Sequence, residues 1–305
     1  MSDQSLKPMT ADEHAKLRKL RSLRNAKDGY LFLLPWLFGF AAFVAFPLLF
    51  SLFLSFHKVG IRPDGAGFSY KFIGLENFTY AFLVDNVFPI DMINFILEAI
   101  LVVPVTVIFA FLIAILLNQQ FYGRFLFRTI FFLPVIFASG EVIKELFAQG
   151  QGKAPLELYN VQGMIADVLP ATLVEPLLGV LGKLILIFWF SGVQIVIFIA
   201  AFQTIPVSTY EAARIDGATP WEIFWKITFP AVTPFILLTF VYTTIDLSSN
   251  PFNPILAHFK GNMLKPETGY GYVSAIGWIY SAILFLLVIV FILPASRLYR
   301  KKVRR

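Results

Sequence analysis

The sequence lacks cysteine and is poor in charge. With no cysteine among its 305 residues, the chain cannot form thiolate zinc sites, iron–sulfur clusters, disulfides or a cysteine nucleophile. Charged residues make up only 14% of the sequence and hydrophobic residues 58%, whereas soluble domains carry about 25% charged residues. This composition excludes a freely soluble globular domain and indicates a polytopic membrane protein.

The sequence also lacks the usual signs of catalysis and metal binding. Its histidines, His14, His57 and His258, lie far apart and form no i, i+4 pair, so no metal site is expected. A phosphate-binding loop requires Gly-Lys followed by Ser or Thr, but the two Gly-Lys pairs continue as Ala154 and Leu184. No Ser-His-Asp or paired-carboxylate arrangement can be read either. We therefore expect neither ATP hydrolysis nor a resident cofactor on this chain.

Long apolar stretches predict the fold. A bilayer core of about 30 Å requires roughly 20 apolar residues in a helix. Six stretches of that length predict six membrane-spanning helices, at residues 29–56, 92–117, 125–147, 179–202, 225–247 and 273–298. The predicted fold class is an all-α membrane protein.

Basic residues orient these spans. Of the 25 Lys and Arg residues, 13 lie at the two termini, seven before residue 29 and six in residues 297–305. Because basic residues concentrate on the cytoplasmic side, both termini are predicted to be cytoplasmic. An even number of spans agrees with this, since it places both termini on the same side. The expected organisation is a basic segment 1–28, a transmembrane domain 29–298 and a basic tail 299–305. Topology thus explains the positive charge, and nucleic-acid binding is not expected.

Polar side chains inside the spans are candidate functional residues, because they are costly in lipid. Most fall in the outer half of the membrane in the predicted topology. We interpret them as a substrate pathway, with internal salt bridges or an external rim as the alternative. The candidates are Asn94, Glu98, Glu141, Lys144, Glu145 and Asp246, with Trp189 and Gln194 as a further pair in the fourth span.

Cap residues in the cytoplasmic loop 203–226 predict two short helices joined by a glycine turn. Ser208 or Thr209 is positioned to cap the first helix, and Gly217 can end it in a left-handed conformation. Thr219 is positioned to cap the second, which re-enters the membrane. Such a loop is either a docking element for a partner or an ordinary capped turn.

The same loop resembles a known family. It contains Glu211-Ala212-Ala213, Asp216-Gly217-Ala218, Ile227 and Pro230. At this spacing it is similar to the coupling loop of inner-membrane permease subunits of ATP-binding-cassette (ABC) importers of the carbohydrate-uptake type. That loop reads Glu-Ala-Ala, three residues, Gly, about nine residues and Ile-x-Leu-Pro, and Phe229 stands at its Leu position.

Other segments extend the resemblance over most of the chain. Leu33-Leu34-Pro35, residues 72–78 and residues 127–134 fit the first span, the first external loop and the third span of the family. The family's frequent Thr-Gly-Gly-Pro segment after the fifth span is absent, and residues 248–254 occupy its place.

The resemblance implies a type I ABC importer permease fold in a bacterial cell membrane. It implies a second permease subunit in a heterodimer, two cytoplasmic ATPase subunits that bind ATP and Mg, and an extracytoplasmic solute-binding protein that delivers a saccharide or oligosaccharide. The ATPase-coupling residues would be Glu211, Ala212, Ala213, Asp216, Gly217, Ala218 and Pro230.

Two alternatives remain open. One is a secondary transporter or channel driven by an ion gradient, for which Glu98, Glu141 and Asp246 would be ion sites. It is disfavoured because we find no internal repeat. The other is an ABC permease for a solute other than a sugar.

Overall fold

The computed structural model of the protein describes residues 27, 29–61, 67–119, 121–137, 161–167, 170–250, 253–265 and 268–303. These residues form ten helices and one β-hairpin. They are α1 (Gly29–Ser55), β1 (His57–Ile61), β2 (Phe68–Phe72), α2 (Glu76–Leu83), α3 (Phe88–Asn118), α4 (Arg124–Phe137), α5 (Val161–Ala166), α6 (Ala171–Gln203), α7 (Val207–Ile215), α8 (Pro220–Ser248), α9 (Pro254–Met263) and α10 (Gly269–Val303).

Five of these helices are long and apolar enough to cross a membrane. They are α1, α3, α6, α8 and α10, and they coincide with the first, second, fourth, fifth and sixth predicted spans. The third predicted span is represented by α4, which has 14 residues, and residues 138–147 lie outside the described ranges. The predominantly helical membrane fold is therefore confirmed.

A two-stranded hairpin between α1 and α2 was not part of the predicted all-α fold. β1 pairs antiparallel with β2, with His57 opposite Phe72 and Ile61 opposite Phe68. Each strand has only five residues, so its alternating pattern is too short to stand out beside the long apolar stretches. The hairpin packs on α10, and we call this side of the bundle the hairpin end.

The core consists of two apolar clusters stacked along α3, which packs against α6 and α8. At the hairpin end, Phe88 and Met92 of α3 pack with Ile276 of α10. At the opposite end, which we call the α7 end, Ala110 of α3 packs with Phe198 of α6. Helix α3 is thus buried against its neighbours at both ends.

Asn253 fixes the start of α9 through side-chain hydrogen bonds. Its Oδ1 accepts the Ile255 N–H (3.0 Å) and caps α9. Its Nδ2 donates to the Ser248 carbonyl (3.0 Å) and to the Tyr280 hydroxyl (2.7 Å). The end of α8 and the start of α9 are therefore joined to α10 by buried hydrogen bonds.

Asp85 joins three helices at the hairpin end. Its Oδ1 accepts the N–H groups of Val87 (2.8 Å) and Phe88 (3.0 Å) at the start of α3. Its Oδ2 accepts from the hydroxyl of Tyr272 in α10 and from Nε2 of His258 in α9 (2.7 Å). Burial alone would raise the pKa of Asp85, but these four hydrogen bonds outweigh it and hold the pKa below its ordinary value.

Asp85→Asn should destabilise the protein at neutral pH by about 1–3 kcal/mol, because it weakens four hydrogen bonds to a buried carboxylate. The folded-state pKa of Asp85 is lowered, so its stabilisation is present above the unfolded value of about 3.9 and is lost as pH falls through the folded value. Thermal unfolding in detergent should show that the difference in melting temperature between wild type and variant becomes smaller towards pH 3. Asp91→Asn, in the first turn of α3, is the control, and a pH-independent difference at Asp85 would contradict this interpretation.

Gly271 lies where α10 meets β1 without room for a side chain. A Cβ atom at this position would collide with the carbonyl oxygen of His57 and lie 3.2 Å from Nδ2 of Asn77. Gly271→Ala should therefore lower the free energy of unfolding by about 1–3 kcal/mol. Gly277→Ala in the same helix is the matched control, because no atom lies within 4 Å of its added Cβ. Equal melting temperatures for the two variants would refute the close packing of α10 on the hairpin.

Candidate functional site

The C-terminus of α7 has the glycine turn that the sequence predicts. Gly217 has a φ of 80°, in the left-handed region that favours glycine. Its N–H donates to the carbonyl of Arg214 (3.1 Å), and the N–H of Ala218 donates to the carbonyl of Ala213 (3.0 Å). This pair of bonds is the Schellman motif, so the predicted left-handed helix end at Gly217 is confirmed.

The predicted cap at the start of α7 is wrong. The helix begins at Val207, and Pro206 occupies the N-cap position with φ −60° and ψ 138° and no side-chain cap. The carbonyl of Pro206 accepts the N–H of Thr209 (3.0 Å). Ser208 and Thr209 therefore lie within the first turn, because the proline before them already fixes the extended conformation that a cap residue needs.

Thr219 and Glu222 form a reciprocal capping box at the start of α8. Oγ1 of Thr219 accepts the Glu222 N–H (3.3 Å), and Oε2 of Glu222 accepts the Thr219 N–H (3.0 Å). Oε1 of Glu222 pairs with Nζ of Lys226 (3.0 Å). With Pro220 at the first helical position, the predicted start of the second helix is confirmed.

Helix α8 contains a wide turn directly after this capping box. Residues Phe224–Thr228 are π-helical, and the N–H of Phe229 donates to the carbonyl of Phe224. Pro230 follows and has no N–H to continue an α-helical ladder. The hydroxyl of Tyr210 in α7 lies 3.2 Å from Oγ1 of Thr228. This bond, which sequence spacing did not indicate, connects α7 to the wide turn of α8.

The outer surface of the α7 segment, residues 203–226, exposes apolar side chains to solvent. Val207 is 71% exposed, Ile215 86% and Trp221 69%, and α7 itself buries none of its residues. Exposed apolar side chains such as these are available for contact with a partner. Of the predicted coupling residues, Glu211, Ala212, Asp216 and Gly217 are exposed, and Ala213, Ala218 and Pro230 are half-buried.

The structure places Asn94 and Glu98 on one face of α3. Asn94 is exposed and Glu98 is half-buried, and the same face continues with the exposed side chains of Leu101 and Val105. Lys183 of α6 interacts electrostatically with Glu98. The rest of the described chain covers this face of α3 only in part.

Gln194 lies inside the bundle. It is fully buried, and its Nε2 donates to Oγ1 of Thr243 in α8 (3.1 Å), which donates in turn to the carbonyl of Thr239 (2.8 Å). Its Oε1, like the hydroxyl of Thr106 in α3, has no hydrogen bond. Contact of Gln194 with a solute would therefore require α6 and α8 to separate.

Trp189 and Gln194 do not form the predicted pair. Trp189 is 36% exposed and Gln194 fully buried, because five residues of helix separate them by about 140° around the axis. Asp246 is half-buried on α8, and it interacts electrostatically with Tyr242 one turn away. Glu141, Lys144 and Glu145 lie outside the described residues.

Known proteins are similar to this chain in sequence. Residues 80–305 match the family model described as the binding-protein-dependent transport system inner membrane component. The chain is 28% identical to the probable ABC transporter permease protein YesP of Bacillus subtilis (strain 168), covering 94% of this chain and 97% of that protein. It is 31% identical to the lactose transport system permease protein LacF of Rhizobium radiobacter, covering 72% of each chain.

The fold is also similar to a solved structure. That structure is of a bacterial ABC transporter involved in the import of the acidic polysaccharide alginate. One of its chains superposes on the present chain with a TM-score of 0.60. The match covers 92% of this chain and 99% of that one at 19% identity, so the likeness concerns the fold alone. Because the family model matches most of this chain, the chain belongs to the inner-membrane components of binding-protein-dependent transport systems. It is a multi-pass protein of the cell membrane.

Proposed function

We propose that this chain is one permease subunit of an ATP-driven importer, with six spans and both termini in the cytoplasm. The third span would run from 125 to 147 and include α4. The basic segments 1–28 and 299–305 would flank the permease domain 29–298 on the cytoplasmic side. The concentration of Lys and Arg in these segments supports this orientation.

The structure of the α7 segment supports this proposal most strongly. It contains an exposed helix that ends in a Schellman turn, and the capping box of α8 follows directly. It exposes apolar side chains at Val207, Ile215 and Trp221. A separate ATPase subunit would receive α7 in a groove and would bind the ATP and Mg. Glu211, Ala212, Ala213, Asp216, Gly217, Ala218 and Pro230 would be the coupling residues.

A second permease chain would complete the pathway. The described bundle is packed at its centre, where Gln194, Thr106 and Thr243 are fully buried or nearly so, so a pathway has to run along an outer face. The partly covered face with Asn94 and Glu98 is suitable for this. None of the apolar window of α1 is buried within the chain, which also suits an intersubunit contact. We propose a heterodimer with two ATPase subunits.

A saccharide is the proposed cargo, delivered by an extracytoplasmic solute-binding protein. Amide and carboxylate groups such as Asn94, Glu98 and Asp246 hydrogen-bond hydroxyl groups, and an aromatic ring such as Trp189 can pack on a sugar face. The relative named for lactose transport supports this class of cargo. Glu141, Lys144, Glu145 and Gln194 remain predicted pathway residues.

Gly217→Pro should uncouple transport from ATP hydrolysis. Proline fixes φ near −65° and has no N–H, so it loses both the left-handed conformation and the bond to the carbonyl of Arg214. In proteoliposomes that hold the whole transporter and its binding protein, ATP-dependent uptake of labelled saccharides should fall by about tenfold or more. Assembly with the ATPase, measured by copurification, should persist.

Gly217→Asn is the matched control, because asparagine tolerates the left-handed region better than other residues with a side chain. It should keep most of the uptake. Full uptake by Gly217→Pro would remove the coupling assignment. Uptake by the chain alone, driven by an ion gradient without ATP, would replace the importer with the gradient-driven carrier.

A further inference from the structure

A cleft opens between α4 and α6 near the α7 end. Its volume is about 190 Å³, and it is lined by Arg128, Phe131, Gly192, Ile195, Val196 and Ile199. The Arg128 guanidinium is the one charged group in this lining. Val196 is 46% exposed, so the cleft is open to the surroundings of the bundle.

Arg128 has donors that the described part of the chain leaves unused. Its Nη2 donates to the carbonyl of Leu117 in the last turn of α3 (2.9 Å). Its Nε is buried and has no hydrogen-bond partner, and no described acid forms an ion pair with it. Arg124 lies one turn earlier on the same face of α4. Within the part of the chain that the structure describes, the cleft therefore presents a cation without a counterion.

The surroundings of the cleft suit the edge of a membrane. Tyr122, six residues before Arg128, is fully exposed, and tyrosine side chains concentrate at membrane interfaces. From Ile199 to Gly192 the cleft follows α6 for about 10 Å towards the middle of the span. Its charged group thus lies at the end of the span, and its apolar lining continues into the bilayer.

We propose that this cleft binds an anionic phospholipid, with the phosphate on Arg128 and part of an acyl chain against Val196 and Ile199. An anion supplies a counterion to Arg128, and an acyl chain suits the apolar lining. The cleft is too small to admit a partner helix, whose diameter is about 10 Å. In the orientation proposed above, the lipid belongs to the inner leaflet. The binding itself requires no assumption about the cargo.

Lipid binding can be measured on the complete transporter, purified in mild detergent and titrated with phosphatidylglycerol or phosphatidylcholine. Native mass spectrometry counts the lipids retained. Wild type should retain one phosphatidylglycerol per copy of this chain, about fivefold more tightly than phosphatidylcholine, because the phosphate of the anionic lipid interacts with a basic residue without a competing ammonium. Inorganic phosphate should not displace it.

Two variants test the charge and the shape of the cleft separately. Arg128→Gln removes the cation, and Val196→Trp fills the cleft but keeps the Arg128 bond to Leu117. Each should abolish the fivefold preference. Lys27→Gln, an exposed basic residue ahead of α1, is the charge-matched control and should retain it. If Arg128→Gln fails to assemble, Val196→Trp decides.

Three results would overturn the proposal. The first is an undiminished preference in Val196→Trp, and the second is equal retention of the two lipids by wild type. The third is a crosslink from Val196→Cys, in this otherwise cysteine-free chain, to a second permease subunit, because the cleft would then be a subunit interface. Uptake is not measured in any of these experiments, so they can fail while the importer function stands.

Discussion

The close contact of α3 with α6 and α8 is the constraint on which the rest of the structure depends. In lipid, helices associate through packing and hydrogen bonds rather than through the hydrophobic effect, so small residues at the contact are favourable. Ala99, Ala110 and Ala114 of α3 are fully buried. The ends of α3 are held as well, by Asp85 at the hairpin end and by Arg128 at the carbonyl of Leu117. Helix α3 is therefore a fixed reference for its neighbours.

Helix α8, in contrast to α3, has features that allow it to bend. A π-helical turn follows its capping box, and threonine hydroxyls along it bond the carbonyls four residues before them. Both features favour bending. An interior proline does not distinguish the two helices, because Pro234 lies in α8 and Pro104 in α3. Tyr210 connects α7 to the start of α8. A displacement of α7 would therefore be transmitted to α8, which can bend, while the neighbouring α3 stays in place. Such an arrangement suits a two-state equilibrium that a nucleotide-driven partner shifts.

Local chemistry made parts of this structure predictable. Apolar length alone located five spans, and single residues determined the turn at Gly217 and the cap at Thr219. Contacts between distant residues were not predictable. Asp85 and Tyr272 are 187 residues apart, and Gln194 and Thr243 are 49 apart, so no spacing rule links them. The cap at Ser208 or Thr209 failed because Pro206 already provides the conformation, and the hairpin was missed because its strands are short.

Crosslinking from the α7 segment is the most direct test of whether this chain is coupled to an ATPase. Ile215→Cys introduces the one thiol at a side chain that is 86% exposed on α7, and Leu264→Cys introduces it at the hairpin end, where the side chain is 77% exposed. A short thiol-reactive photocrosslinker in native membranes, followed by mass spectrometry of the adduct, identifies the neighbour of each. We expect an adduct with an ATPase subunit that has a phosphate-binding loop at position 215, and no such adduct at position 264. No ATPase adduct at position 215, or equal adducts at both positions, would contradict the coupling of this chain to ATP hydrolysis.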